Sequence, residues 1–350
     1  MYYAVVAANT VTNLSEVDQN ELRVHPLTRA DSPSIAQFIH EFAWERGAVP
    51  SQSREEIELI FDTPWLEDGG GLVLERGSEF GGYGWARRTQ WRGYPYVDFG
   101  LYLRQPFRAP ALYRVLTDPL LALAERVGAE HGISQAKTNY RSDDSFHAPI
   151  IQAIGFRRHA VSMLGYRHNL LDVPPHPPSP GVSLRVARLP EESQLLLSLG
   201  ARSYDDPDKQ GLSIHADRIP IETKKPGFQP DQVLVAEKDN EPVGYVFMAK
   251  TAFGGELAYE LFDIGVVPGA RRLGIGTAMV ARALAWVKSR GSRIVLASEY
   301  STNPAMSFFW RLGFRPNPRG TYYFYVRDLG RRTRVRPRMA PGSPRPADSN

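Results

Sequence analysis

The chain has 350 residues, about two domains of ordinary size, and its 42% hydrophobic and 23% charged content describes a largely globular protein. It contains no cysteine, which excludes disulfides, a thiol nucleophile, iron–sulfur clusters and thiolate zinc sites. The net charge is +4, but residues 331–350 alone hold six Arg and one Asp, so residues 1–330 carry about −1. The near-neutral body does not call for a nucleic-acid partner. The segment 331–350, rich in Arg, Pro, Gly and Ser, reads as a disordered basic tail. The start, MYYAVVAANTV, lacks the basic n-region of a signal peptide. No run approaches the ~18 apolar residues of a membrane span, so a cytoplasmic protein without a membrane partner is expected.

In chain order, the first patterned segment is Leu22-Arg23-Val24…Leu27, and it returns 162 residues later as Leu184-Arg185-Val186…Leu189. LVLERGSEFGGY at 72–83 faces LVAEKDNEPVGY at 234–245 at the same offset, with six of twelve positions identical. DFGLY at 98–102 matches DIGVV at 263–267, and Ala153-Ile154-Gly155-Phe156 matches Arg311-Leu312-Gly313-Phe314. The order is kept and the offset drifts only by a few residues, as loop-length changes would produce. Between the copies lies VPPHPPSPG (173–181), where five prolines remove backbone donors and fix φ, so the stretch reads as an extended linker. The expected organisation is an N-terminal copy over 22–170, a linker over 171–181, a C-terminal copy over 182–330 and the tail over 331–350.

In the second copy, 183–188 reads as a strand and 190–202 as a helix. Residues 232–238 and 243–250 form a hairpin about Lys238-Asp239-Asn240-Glu241. LAYELFDIGVV (257–267) is a long apolar strand. Ile275, Met279, Ala283, Trp286 and Val287 recur at helical spacing over 274–290, which ends at Gly291. Residues 293–299 form a strand, 303–312 a helix stopped by Gly313, and the aromatic run 321–327 an edge strand. Hairpins followed by strand–helix–strand predict an α/β (α+β) fold with a mixed, mostly antiparallel sheet flanked by helices.

The chemistry is concentrated in VVPGARRLGIGTAM (266–279), where a strand runs through a turn containing Arg271, Gly274 and Gly276 into a helix. Glycines there let backbone N–H groups approach an anion, and the helix start adds orphan donors and the positive end of its dipole. The spacing is neither the dinucleotide fingerprint nor a P-loop. In full context, V-x-P-x-x-R-x-x-G-x-G is followed by a strand and then by Asn303-Pro304-Ala305…Leu312-Gly313-Phe314. This segment resembles the GNAT acetyltransferase superfamily, and the internal repeat resembles its tandem-domain type.

The resemblance implies acetyl-CoA as co-substrate and N-acetyl transfer by direct attack of a small-molecule primary amine. It implies that Val266 and Val267 pair with the pantetheine arm. Arg271, Arg272, Leu273, Gly274, Ile275, Gly276 and Thr277 would bind the diphosphate, with Asn303 and Phe309 contributed by the second motif. A primary amine has a pKa near 10 and must lose a proton to attack. Glu260, six residues before Val266, is similar in position to the general base of some family members, and strand period two puts the two residues on one face. Asp263 then points to the opposite face, and its match to Asp98 suggests a structural duty common to both copies. Where many family members carry a Tyr that protonates the leaving thiolate, this sequence has Phe309. Tyr300, Ser301, Ser307, Tyr322 or water are the remaining donors.

In the first copy the loop reads LRQPFRAPALY (103–113): Ala109 and Ala111 replace the glycines, and Pro106 and Pro110 remove donors, so this copy should bind CoA poorly. The acceptor segment falls near 201–232, with Tyr204-Asp205-Asp206-Pro207-Asp208. Of eight His, only His215 lies in the second copy, and no metal site is expected. Two other readings stay open: an acyl-CoA-binding sensor or scaffold without activity, and a transferase with a different acyl donor.

Overall fold

The computed structural model describes residues 21–45, 54–61, 69–91, 94–171, 176–203, 222–225, 227–253, 256–301 and 306–330. Asn303, the acidic stretch Tyr204–Asp208 and the tail lie outside the described residues. The first run of elements is β1 (Leu22–Pro26), α1 (Ser32–Glu45), α2 (Arg54–Phe61), β2 (Gly69–Arg76), β3 (Glu79–Trp91), β4 (Tyr94–Leu103), α3 (Pro110–His131), β5 (Gln135–Arg141), α4 (His147–Ala153) and β6 (Arg157–His168). The second is β7 (Val182–Val186), α5 (Ser193–Ser203), β8 (Val233–Lys238), β9 (Glu241–Phe253), β10 (Glu256–Val266), α6 (Ile275–Ser289), β11 (Ile294–Tyr300), α7 (Met306–Arg311), β12 (Arg315–Pro316) and β13 (Tyr322–Asp328). No helix among the described residues is long and apolar enough to cross a membrane.

Among the described residues the strands form one sheet in the order β1-β2-β3-β4-β5-β13-β6-β11-β10-β9-β8-β7, with β12 also against β6. Pairing is antiparallel except for β4 with β5 and β10 with β11, the two parallel pairs bridged by α3 and α6. Each parallel pair parts towards its C-terminal end. The first is in register only at Val97↔Ala136 and Asp98↔Lys137, the second only from Ala258↔Ile294 to Leu261↔Ala297. The sheet is therefore splayed open once in each half.

The predicted edge strand at 321–327 is corrected by this topology. β13 is interior, paired with β5 on one side and β6 on the other. β6, the last strand of the first run, in turn lies against β11 of the second. The halves thus exchange their final strands. An edge strand is usually blunted by charge or proline, whereas TYYFYVR has the β-formers that an interior position uses, and Tyr325 and Val326 are buried. Each half also has its own core. Leu74, Phe99, Leu101, Leu116 and Leu120 pack in the first, and Val235, Phe247, Met279, Leu284 and Val295 in the second. The second core takes in Tyr166 and Leu170 from the first run, so the exchange is one of packing as well as hydrogen bonding.

β10 carries a bulge. Its register against β9 passes from Leu261↔Met248 to Asp263↔Phe247, so Phe262 is an extra residue. The extra residue reverses the alternation, and the predicted shared face of Glu260 and Val266 is overturned. Glu260 and Asp263 pair with Ala249 and Phe247, which share one face of β9, so the two carboxylates lie on the same side of the sheet. Val266 lies on the other side, towards α6, where Tyr259 meets Trp286 at 5.1 Å. β4 has no such irregularity against β3.

Candidate active site

β10 delivers the chain through Val267 into a short 3₁₀ turn, Pro268–Ala270, and then into a left-handed pair of residues before α6. Arg272 has φ 65° and Gly274 φ 74°. Such a backbone is cheap for glycine and costly for a side chain, which accounts for Gly274 locally. The first backbone bond of α6 runs from the Ala278 N–H to the Gly274 carbonyl, so the N–H groups of Ile275, Gly276 and Thr277 are the orphan donors of the helix start.

Gly276 has no such local reason. Its φ is not positive, and an added Cβ would meet Phe308 Cζ at 3.5 Å and Val266 Cγ2 at 3.9 Å, ordinary van der Waals contacts. Gly244 and Gly265 differ: a Cβ at Gly244 would lie 2.9 Å from the Gly265 carbonyl, and one at Gly265 2.7 Å from Ser203. The fold requires those two glycines and tolerates a side chain at position 276.

Around this loop the side chains brace rather than fill. Arg271 Nε donates to the Val266 carbonyl at 3.0 Å and its Nη2 to the Ser203 carbonyl, tying the loop to β10 and α5. The Ser179 hydroxyl donates to the Leu273 carbonyl at 2.6 Å. The Val267 N–H is spent on the Val243 carbonyl at 2.9 Å. By strand alternation, the neighbouring Val266 N–H faces the splay. Arg271, Arg272, Leu273 and Gly274 are exposed, whereas Ile275 is buried and Gly276 and Thr277 half-buried.

On the opposite face, Ser298 of β11 donates its hydroxyl to Glu260 at 3.3 Å, just beyond the last in-register pair of β10 and β11. Asp263 is buried and accepts the Tyr245 hydroxyl at 2.9 Å. Asp98 accepts from the Trp85 indole at 3.0 Å and from Arg87 at 3.1 Å. Both aspartates therefore bond an aromatic donor on the adjacent strand. Phe309 is only 3% exposed. It stacks on Tyr166 with centroids 5.7 Å apart and meets Phe314 at 5.3 Å. Sequence reasoning missed Tyr166, which the exchanged strand β6 brings to the site; burial, then the nearby Glu299 carboxylate, raises its phenol pKa.

The first half closes the equivalent splay with its own side chains. Leu101 stands 165 residues before Val266. Its N–H donates to the Tyr140 hydroxyl at 3.2 Å, and that hydroxyl donates to the Leu101 carbonyl at 2.9 Å. The Leu103 N–H donates to His147 Nε2 at 3.0 Å. Nε2 can accept only if the proton sits on Nδ1, which lies 3.1 Å from Asp144 Oδ2. Strand groups that face the gap are thus already bonded, and α3 begins at Pro110 without a glycine loop.

The model of the acetyltransferase (GNAT) family matches residues 202–314. A mycothiol acetyltransferase of Cellulomonas flavigena is 31% identical over 157 residues, 41% of this chain and 45% of the relative. One from Amycolatopsis mediterranei is 29% identical over 140 residues, 38% and 46% of the two chains. The chain thus spans about half the length of the curated relatives it matches. Among solved structures, a tandem GNAT protein from the clavulanic acid biosynthesis pathway has a TM-score of 0.65 at 18% identity, covering 89% of this chain and 99% of its own. A GCN5-related N-acetyltransferase from Sphaerobacter thermophilus has a TM-score of 0.62 at 18% identity, covering 88% and 96%. Residues 202–314 are thus similar to the GNAT family domain, and the fold of the whole is similar to that of a tandem GNAT protein.

Proposed function

We propose that the protein is an N-acetyltransferase that uses acetyl-CoA and acetylates a primary amine on a small molecule, with the second half alone holding the co-substrate. A cytoplasmic site of action accompanies this reading. The observation that carries it is Gly276: a glycine that neither backbone nor packing requires, at the start of α6, beside orphan amides. The diphosphate of CoA fits that cradle, and the amides of Gly274 through Thr277 would hold it. The co-substrate supplies an activated carbonyl with a thiolate leaving group.

The protein's own residues do the rest. The splay between β10 and β11 admits the acyl arm, and the Val266 N–H orients it. Glu260 faces the other side of the sheet, where the amine enters, and accepts the ammonium proton directly or through water. The bulge at Phe262 is what puts the base and the co-substrate loop on opposite faces, so the two reactants meet within the gap rather than compete for one side. Holding both in line supplies much of the rate.

The test is calorimetric titration with acetyl-CoA, followed by thiol release over a panel of amines that begins with the acceptor of the mycothiol acetyltransferases. One binding event per chain and amine-dependent release of CoA are expected. Binding without release across the panel would leave a sensor, and no binding would refute the reading. Thioesters of increasing chain length identify the acyl donor.

A further inference from the structure

The Pro-rich connection reaches the co-substrate loop. Ser179, in the middle of Pro178-Ser179-Pro180, donates its hydroxyl to the Leu273 carbonyl at 2.6 Å, and its Oγ lies 3.5 Å from where a Cβ on Gly274 would stand. The connection is itself anchored at this point. The Val182 N–H bonds the Ser179 carbonyl at 3.0 Å, and the Asp239 N–H, in the hairpin turn between β8 and β9, bonds the Gly181 carbonyl at 3.1 Å. Proline on each side restricts φ at 178 and 180 and biases Ser179 towards an extended backbone. The hydroxyl is therefore held in place rather than recruited from a flexible tether.

The peptide between Leu273 and Gly274 is planar and trans, so its carbonyl and its N–H point in opposite directions. A donor fixed on the carbonyl fixes the direction of the Gly274 N–H as well, turned away from the connection. That amide belongs to the left-handed stretch between Arg272, at φ 65°, and Gly274, at φ 74°. Successive amides in such a stretch form a concave nest for an anion, and this nest runs directly into the orphan amides of α6. Without a partner on the Leu273 carbonyl the peptide is free to rotate, and the nest would have to be ordered at the moment of binding.

We infer that Ser179 is a positioning residue for co-substrate binding: by holding the Leu273 carbonyl it aims the Gly274 amide at the diphosphate, which makes the connection between the two halves part of the CoA site. This rests on the acetyl-CoA reading above. It also gives the prolines a physical role, since a rigid connection delivers a hydroxyl at a defined point and a Gly/Ser-rich one would not.

The experiment uses the full chain and CoA itself as the probe. Wild type, Ser179→Ala and Ser179→Thr are titrated calorimetrically, and KM for acetyl-CoA and kcat are measured on the same preparations. One neutral hydrogen bond corresponds to about a fivefold change in affinity. Ser179→Ala should bind CoA about fivefold more weakly and raise KM to match, with kcat and melting temperature unchanged. Ser179→Thr, which keeps the hydroxyl, should restore affinity. Ser179→Ala binding CoA as wild type does would overturn the inference. So would a loss of kcat or melting temperature in its place. If wild type itself fails to bind CoA, the acetyl-CoA reading fails first and takes this inference with it.

Discussion

Replacing Gly276 by alanine separates the demands of the fold from those of the ligand. The added methyl has room, since its nearest neighbours, Phe308 Cζ and Val266 Cγ2, would lie 3.5 and 3.9 Å away. The backbone there is helical, so alanine stabilises α6 by up to about 1 kcal/mol relative to glycine. The melting temperature should stay level or rise by a few degrees. A diphosphate seated on the first-turn amides would meet the same methyl and lose at least one charge-assisted hydrogen bond, worth roughly 1.5–3 kcal/mol. That converts to a dissociation constant about ten- to a hundredfold larger for acetyl-CoA. Calorimetry reads the affinity and thermal unfolding reads the fold on the same sample. A Gly276→Ala protein that binds acetyl-CoA as wild type does would refute the cradle, because the glycine would then have neither a structural nor a ligand-binding reason.

Glu260→Gln should lower kcat/KM at least about tenfold and abolish the fall of rate towards acid pH that a carboxylate base produces; a variant that keeps that acid limb would remove Glu260 from the proton transfer. Far from the site, hydrogen bonds from Arg185, then the Arg188 amide and guanidinium, hold the Glu192 carboxyl at a pKa of about 2. A folded-state pKa below the unfolded one gives stability that is complete above about pH 5 and lost as pH falls through 2. Glu192→Gln should therefore cost about 2–3 kcal/mol in urea unfolding at pH 7 and show little further loss on acidification, after allowance for the exposed Arg188. Because β6 and β13 are exchanged, residues 176–350 expressed alone should fail to give a cooperative unfolding transition, and co-expression with residues 1–171 should restore it; an independently folding second half would contradict the shared sheet.

The local elements were legible because their signals are local. The apolar run of β10, the helical spacing over α6 and the stop at Gly291 each need only a window of sequence, and the structure places them within a residue or two of expectation. The turn before α6 was legible because a positive φ, as at Gly274, favours glycine whatever surrounds it. The different helix start of the first copy was legible for the converse reason, since Ala109 and Pro110 begin α3 without a glycine turn. Asp263 read correctly as the partner of Asp98 in duty, although its face was misjudged.

Composition, period and turn chemistry, all short-range, sufficed to show two copies of an α/β unit and one glycine loop. Tertiary structure alone decided three things. It decided that one extra residue at Phe262 turns Glu260 to the face opposite Val266, a shift visible only against the register of β9. It decided that β13 lies between β5 and β6 rather than at an edge, since a strand's sequence does not name its neighbour. It decided that Tyr140 and His147 occupy the first splay and that Ser179 reaches the Leu273 carbonyl in the loop before α6, contacts between residues up to 94 positions apart. The physical reason is common to all three: hydrogen-bond partners across a sheet are chosen by the folded whole, whereas the propensity to form a strand or a turn is carried by each segment itself.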